Sequence, residues 1–312
     1  MEYIEFGRDK SKVSEKVLGC MRFPELNPQE IGSLVGTAVD CGINMLDIAD
    51  VYTKGKAESL LGEAFTLNQG LRDKIFLQSK CGIRKDPHFF DFSKEHIVEA
   101  VNGSLKRLNT DHLDALLLHR PDALMEPEEV GAAFDELYKS GKVLNFGVSN
   151  MNPSQMEMLS VLMERAGYNF PIVANQVQLS CCHTPMFDNG FNVNMANDPC
   201  VMRDGGILEY ARIHDIVIQA WSVMQYGFFK GVFIGDPHYL QLNTVLDELA
   251  DKYGVSSTAI AIAWILRYPG KMQAIIGTTR QQRVKESAKA SGIKLTRAEW
   301  YSIYLAAGNG LP

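Results

Sequence analysis

The amino-acid sequence predicts an α/β fold, a (β/α)8 TIM barrel, on the basis of three observations. Short apolar runs of strand length alternate with segments of helical periodicity along the chain. Runs such as LDALLL and QAII are continuously apolar, as in parallel strands that are buried on both faces. The length of 312 residues lies within the roughly 200 to 400 residues of such barrels. We expect a single domain, 1–312, whose first 15 residues form a short β-hairpin at the N-terminal end of the barrel.

The predicted strands are eight apolar runs. In chain order they are KVLGC (16–20), GINMLD (42–47), KIFLQSK (74–80), LDALLLH (113–119), VLNFGVSN (143–150), IVANQVQ (172–178), IVIQAWS (216–222) and QAIIGTT (273–279). Two irregular stretches, 181–206 and 223–242, are longer than usual connections and are predicted to be functional or mobile loops.

Helices are predicted where apolar residues recur at helical spacing between these runs. Gly42 is expected to end the first helix as a C-cap, and Ser93 to begin the third as an N-cap. The predicted helices cover residues 29–42, 57–67, 93–109, 127–141, 153–167, 205–215, 243–254 and 257–269.

Composition and charge exclude several classes of protein. The net charge of -6 and the pI near 5.7 argue against a nucleic-acid partner, because such binding depends on basic patches. The N-terminal residues are charged where a signal peptide is apolar, and no stretch approaches the roughly 18 apolar residues of a membrane span. A cytoplasmic protein without membrane contact is therefore expected.

The six cysteines follow no spacing typical of a disulfide framework or a metal site. Cys181, Cys182 and His183 are the one cluster to consider, but adjacent cysteines diverge on an extended chain and no second ligand pair follows. We expect reduced thiols and no metal.

Four residues at or just after the ends of successive predicted strands can together orient and protonate a carbonyl group that a hydride donor reduces. Asp47, Lys80 and His119 each end a strand, and Tyr52 lies five residues after Asp47. The carboxyl ends of parallel barrel strands converge on one face, and neighbouring strands are about 4.8 Å apart, so Lys80 can reach Asp47. A phenol can protonate a carbonyl oxygen if a nearby ammonium lowers its pKa from roughly 10. Asp47 would keep Lys80 charged, and His119 would orient the carbonyl as a neutral donor.

These residues and their surroundings resemble the aldo-keto reductase family, and the resemblance covers nearly the whole chain. GINMLDIADVYTKGKAESLLGEAF (42–65) is similar to the first signature of the family, and LLLHRPD (116–122) and GVSN (147–150) are similar to later motifs. The resemblance implies a catalytic tetrad of Asp47, Tyr52, Lys80 and His119. Tyr52 would act as general acid in reduction and as general base in oxidation.

The same resemblance implies that the cofactor is NADP(H), with NAD(H) less suited. Ser149, Asn150 and Gln176 would bind the nicotinamide carboxamide, Trp221 would stack on the ring, and Ser222 would hold the pyrophosphate. The sequence has no G-x-G-x-x-G motif after a strand, so a Rossmann mode of binding is not expected.

A segment after the last strand, GTTRQQRVKES (277–287), resembles the adenosine-phosphate segment of the family. The residues implied in binding there are Gly277, Thr278, Thr279, Arg280, Arg283 and Glu286. Thr278 with Arg280 or Arg283 would contact the 2′-phosphate, and Glu286 the adenine. Gly277 stands where some family members have a Lys, and Ser287 stands where an Asn is often found. The preference for NADPH therefore depends on Thr278, Arg280 and Arg283.

The substrate pocket is predicted to be walled by the two long loops and by the segment 120–125. The candidate lining residues are Met21, Arg120, Met224, Tyr226, Phe228 and Phe229, with Arg22 and Phe23 at the rim. Met224, Tyr226, Phe228 and Phe229 would make the pocket partly apolar or aromatic. The family resemblance implies a small-molecule carbonyl substrate.

Two other functions remain open from the sequence. A relative that binds NADPH as a regulatory or redox-sensing subunit could keep the same residues with little turnover. An aldolase-like lyase would instead use Lys80 to form a Schiff base.

Overall fold

The computed structural model describes residues 1–193, 195, 198, 205–227 and 230–310. Its strands are β1 Tyr3–Phe6, β2 Ser11–Ser14, β3 Lys16–Gly19, β4 Met45–Asp47, β5 Phe76–Cys81, β6 Ile83–Lys85, β7 His88–Phe90, β8 Ala115–Leu118, β9 Phe146–Ser149, β10 Ile172–Gln178, β11 Val217–Trp221 and β12 Met272–Ile276. Its helices are α1 Pro28–Asp40, α2 Lys56–Leu67, α3 Lys94–Leu108, α4 Pro127–Lys139, α5 Pro153–Arg165, α6 Pro185–Phe191, α7 Ile207–Ile213, α8 Leu240–Tyr253, α9 Ser257–Leu266, α10 Gln281–Ala288 and α11 Arg297–Ala306.

Eight of the strands close into a parallel barrel in the order β3, β4, β5, β8, β9, β10, β11 and β12, with β12 pairing β3. The helices surround it, so the prediction of a (β/α)8 barrel is confirmed. The pairing register places Asp47 of β4 opposite Gln78 of β5, and Lys80 opposite Leu117 of β8. The strand ends that carry the candidate residues are therefore neighbours.

The helix boundary signals act as the sequence predicts. Ser93 caps α3 by accepting a hydrogen bond from the backbone N–H of His96, and Gly42 follows α1 with a φ of 83°, a conformation that favours glycine. Asn27 and Asn152 each form a capping box at the start of a helix.

Five of the described helices and strands were not predicted. Helix α6 lies inside the stretch that we expected to be irregular, β6 and β7 form an antiparallel hairpin after β5, and α10 and α11 follow the last barrel strand. The two hairpin strands have three residues each, which is too short for an alternating pattern to be recognised. α6 has only seven residues and contains a glycine, so its helical periodicity is weak.

The N-terminal hairpin of β1 and β2 lies at the N-terminal end of the barrel, as predicted. Phe6 is buried there, and its ring makes an edge contact with Phe76 at the beginning of β5, with centroids 5.2 Å apart. Val17 and Met45 belong to the same apolar cluster. This end of the barrel interior is thus filled with apolar side chains.

Within the described part of the chain, the cysteines are free thiols: Cys20, Cys41, Cys81, Cys181 and Cys182. Cys200 lies outside the described residues. None of the described helices has the length and apolar character needed to cross a bilayer.

Candidate active site

The C-terminal end of the barrel contains a buried ion pair between two of the predicted residues. Lys80 Nζ lies 2.7 Å from Asp47 Oδ2 and donates a further hydrogen bond of 2.8 Å to the backbone oxygen of Ile48. Both side chains are almost fully buried. Burial disfavours the ammonium, but Asp47 and Tyr52 outweigh it, so the pKa of Lys80 lies above its ordinary value. The lysine therefore remains a cation at neutral pH.

Tyr52 lies in the loop after β4, at the start of a tight turn in which Thr53 and Lys54 adopt left-handed backbone conformations. Its hydroxyl oxygen is 3.2 Å from Lys80 Nζ. Asp47, Lys80 and Tyr52 thus form a continuous chain of contacts.

The direction of the pKa shift of Tyr52 differs from our expectation. We expected Lys80 to give a net lowering, whereas burial of the phenol is the largest influence and raises its pKa above 10.0. Lys80 acts to lower the pKa, and Asp47 opposes it. Tyr52 accordingly carries its proton at neutral pH, which is the state that a general acid needs.

His119 faces Tyr52 across the same site. The two rings meet edge to face, with centroids 5.9 Å apart. Burial, followed by the charges of Lys80, Arg120 and Lys85, lowers the pKa of His119 well below 6.5, so the ring is neutral. Its Nδ1 is buried and has no partner among the described residues, and its backbone N–H bonds to the oxygen of Cys81. A proton on Nε2 would be available to the cavity, and a neutral imidazole can then donate it.

Four buried glutamines from β5, β10, β11 and β12 extend from Asp47 across the barrel. Gln78 Nε2 and Gln176 Nε2 both donate to Asp47 Oδ1, at 2.7 and 2.9 Å. The same two amides donate to Gln219 Oε1, at 2.8 and 3.1 Å. Gln219 Nε2 in turn donates to Gln78 Oε1 and to Gln273 Oε1, at 3.0 and 2.9 Å. Because a carboxylate only accepts hydrogen bonds, this arrangement fixes the orientation of each amide.

A large open cavity of about 1300 Å³ extends from these residues to the segment after β12. Asp47, Tyr52 and His119 form part of its lining, together with Trp221. A protonated phenol and a neutral imidazole therefore meet at the surface of a cavity, next to the buried Lys80–Asp47 pair, which is the combination needed to protonate a carbonyl oxygen.

Comparison with known sequences decides the family. The sequence model of the Aldo/keto reductase family matches residues 17–304. The chain belongs to the aldo/keto reductase family. A 6-dehydroglucose reductase of Agrobacterium fabrum is 33% identical over 312 residues, covering 96% of each chain. More distantly, a probable voltage-gated potassium channel subunit beta of Arabidopsis thaliana is 26% identical, covering 93% of this chain and 91% of that protein.

The fold is also that of solved aldo-keto reductase structures. The aldo-keto reductase of Klebsiella pneumoniae in complex with NADPH superimposes with a TM-score of 0.77 at 22% identity, covering 99% of this chain and 96% of that one.

The residues that family resemblance assigned to the nicotinamide and the pyrophosphate lie next to the proposed tetrad. Ser149 Oγ donates to the backbone oxygen of Gln176 at 2.8 Å, and Asn150 Nδ2 donates to Ser149 Oγ at 2.7 Å. Trp221 Nε1 donates to Asn150 Oδ1 at 3.3 Å. Ser222 follows with a φ of 57°. All five line the cavity.

Fewer of the residues assigned to the adenosine phosphate reach the cavity. Gly277, Thr278 and Arg283 line it, as does Ser287. Three others do not: Thr279, Arg280 and Glu286. Glu286 accepts a hydrogen bond from Gln282, its neighbour on α10.

Three residues of the predicted substrate pocket, Met21, Arg120 and Met224, line the cavity. Tyr226 does not, because its ring packs against Tyr239 with centroids 5.0 Å apart. Phe228 and Phe229 lie outside the described residues.

Two contributors to the site were not predicted from the sequence. One is the β6–β7 hairpin, from which Ile83, Lys85, His88 and Phe90 line the cavity. The other is the glutamine network around Gln219. The sequence contained a signal for this network. Gln78 lies two residues before Lys80, and Gln219 lies two residues before Trp221. Residues two apart in a strand lie on the same face, so this spacing indicates that both glutamines face the site.

Proposed function

We propose that this member of the aldo/keto reductase family is an NADPH-dependent oxidoreductase that reduces an aldehyde or ketone to an alcohol. The observation that carries the proposal is the position of Lys80 Nζ, 2.7 Å from Asp47 Oδ2 and 3.2 Å from the hydroxyl of Tyr52. Asp47 and Tyr52 line the cavity, and Lys80 is fully buried next to them. A buried cation beside a protonated phenol stabilises the phenolate that forms when the proton leaves.

The residues of the cavity fit a nicotinamide dinucleotide phosphate. Ser287 Oγ is buried without a partner among the described residues, and it lines the cavity beside Thr278 and Arg283. A hydroxyl pair and a guanidinium suit a phosphate and its sugar. At the other end, both protons of Gln176 Nε2 are used by Asp47 and Gln219, which leaves its oxygen to accept from a carboxamide. When bound, NADPH supplies the hydride that the carbonyl carbon accepts.

The side chains of the tetrad have separate roles in this proposal. Tyr52 gives its proton to the carbonyl oxygen, and His119 donates a hydrogen bond to the same oxygen and orients it. Lys80 stabilises the developing phenolate, and Asp47 holds Lys80 in place. A preorganised arrangement of this kind contributes because its dipoles and charges need no rearrangement during the reaction.

The geometry of Lys80 argues against an aldolase-like lyase. A Schiff base requires a neutral amine with access to substrate, whereas Lys80 is fully buried, ion-paired and has a raised pKa.

The test is a panel of aldehydes and ketones with NADPH or NADH, in which cofactor oxidation is followed by absorbance. The panel should include 6-dehydroglucose, which the name of the 33% identical relative suggests. Turnover that requires NADPH supports the proposal. Binding of NADPH without turnover of any carbonyl would contradict it and favour a regulatory subunit instead, the class named in the potassium channel relative.

A further inference from the structure

The part of the cavity around the tetrad is lined by cations. Arg22, Lys85 and Arg120 come from three different connections, those that follow β3, β5 and β8. Among the described residues, Asp47 is the one carboxylate in the lining, and it is already bound by Lys80 and by two glutamine amides. The chain as a whole has a net charge of -6, so the excess of positive charge at this place is local.

Lys85 differs from the neighbouring charged residues of the β6–β7 hairpin, which form ion pairs. Arg84 pairs with Asp91 at 2.9 Å, and Asp86 pairs with Lys54 at 3.0 Å. Lys85 has no ion pair with any residue that the structure describes, and it lines the cavity. The hairpin therefore places one uncompensated ammonium at the mouth of the site.

Lys85 and Arg120 lie close enough to the tetrad for their charges to act on it. Both contribute to the lowered pKa of His119. The guanidinium of Arg120 lies over the ring of Trp221, 5.9 Å from its centroid, and is half-buried. Partial burial weakens screening of its charge by solvent and salt.

These two cations are separate from the cations assigned to the cofactor. Lys85 and Arg120 follow the neighbouring strands β5 and β8, whereas Arg283 lies on α10 after β12. In the barrel order β12, β3, β4, β5 and β8, two strands stand between β12 and β5. A phosphate of the cofactor at Arg283 would therefore lie at a different part of the cavity from Lys85 and Arg120.

We propose that the carbonyl substrate carries an anionic oxygen group, such as a carboxylate or a sulfonate, which is recognised by Lys85 and Arg120 while its carbonyl lies at Tyr52 and His119. This inference rests on the proposed reductase function. The neighbouring lining residues Ile83 and Phe90 are apolar and suit a hydrocarbon or aromatic body between the two polar ends of the substrate. A cleft lined by charges of one sign also raises the local concentration of the opposite ion, in a way that salt weakens.

The experiment compares 4-carboxybenzaldehyde with its neutral methyl ester, using kcat/KM with NADPH. We expect the wild-type protein to prefer the carboxylate, and we expect added salt to reduce this preference. Lys85→Met should lower the carboxylate-to-ester ratio by about three- to tenfold, as expected for a partly exposed charge pair, and Lys85→Glu should lower it further. Lys106→Met, which removes the same charge from the exposed face of α3, should leave the ratio unchanged.

Any other result contradicts either the anionic-substrate inference or the reductase function on which it rests. Efficient reduction of the ester with no preference for the carboxylate, or a ratio that Lys85→Met and Lys85→Glu do not alter, would overturn the inference and leave the reductase function intact. If neither aldehyde is reduced, the reductase function fails. Calorimetry of the NADPH-loaded protein with benzoate and benzamide then decides the inference, because benzoate that binds no tighter than benzamide overturns it.

Discussion

At the N-terminal end of the barrel interior the side chains are apolar, whereas at the C-terminal end they are polar and charged. Phe6 and Phe76 pack at the first end, and Asp47 and Lys80 pair at the second. Both sets are almost completely buried. The same eight strands thus supply a packed core at one end and the proposed reaction site at the other, as the alternation of side chains along each strand allows.

The glutamine network joins the two ends. Gln273 Nε2, at one end of the network, donates to the backbone oxygen of Ser14 in the N-terminal hairpin at 2.9 Å, while Gln78 at the other end donates to Asp47. Polar groups buried in this way stabilise a single arrangement only when every member has a partner. Substitutions at the two ends should therefore separate stability from activity, and substitutions in the network should affect both.

The largest effect is expected at the C-terminal end, from Tyr52→Phe. The phenol proton has no substitute, so carbonyl reduction should fall by about 10² to 10⁴ while NADPH affinity and the unfolding temperature stay the same. Steady-state kinetics and a fluorescence titration measure the two quantities. A variant that keeps most of its kcat would remove Tyr52 from the role of general acid.

Phe6→Ala tests the opposite end. Removing a buried ring from a packed cluster costs about 3 to 5 kcal/mol in the free energy of unfolding. Activity per folded molecule should change little, because Phe6 itself does not line the cavity. Denaturant unfolding measures the free energy of unfolding, and active-site titration gives the activity per folded molecule. If folded Phe6→Ala protein has a lower kcat than the wild type, the two ends of the barrel are coupled more strongly than their packing indicates.

The difference between the two ends also shows what the sequence could predict. The positions of Asp47, Lys80 and His119 followed from strand order alone, because parallel strands bring successive carboxyl ends together. The contact between Gln78 and Gln219 joins strands that are not neighbours, so it depends on the stagger of the closed barrel, which no local pattern encodes. Similarly, Tyr226 was assigned to the pocket by its residue type, but packing against Tyr239 decides its direction.

Lys80→Met should change the pH dependence of any residual reduction. A general acid loses activity as the pH rises through its pKa, and the charge of Lys80 lowers the pKa of Tyr52. Without that charge the pKa rises, so the fall in activity should move to higher pH by about one to three units. The double variant Asp47→Asn/Lys80→Met is the control for the buried, unpaired carboxylate that the single variant leaves. An unchanged profile in both variants would contradict the role of Lys80.

The segment after β12 offers a third comparison, because its cations Arg280 and Arg283 are exposed, whereas Lys80 is buried. Replacing Arg280 and Arg283 by Leu should weaken NADPH binding by about 2 to 4 kcal/mol and leave NADH nearly unchanged. Quenching of tryptophan fluorescence measures both affinities. Because Arg283 lines the cavity and Arg280 does not, Arg283→Leu alone should account for most of the loss. Equal losses for the two cofactors would mean that the arginines do not recognise the 2′-phosphate.

The smallest effect is expected from Gln219→Leu, in the network between the two ends. The change leaves the oxygens of Gln78 and Gln273 without their donor from Gln219, and a buried acceptor without a partner costs about 1 to 3 kcal/mol in the free energy of unfolding. Gln78 and Gln176 still donate to Asp47, so kcat should fall by only about two- to tenfold as the carboxylate becomes less restrained. Gln241→Leu, the same change at an exposed position of α8, is the control. If Gln219→Leu loses stability but keeps its kcat, the network serves only the packing of the core. If it keeps its stability but loses kcat, Gln219 acts together with the proposed tetrad.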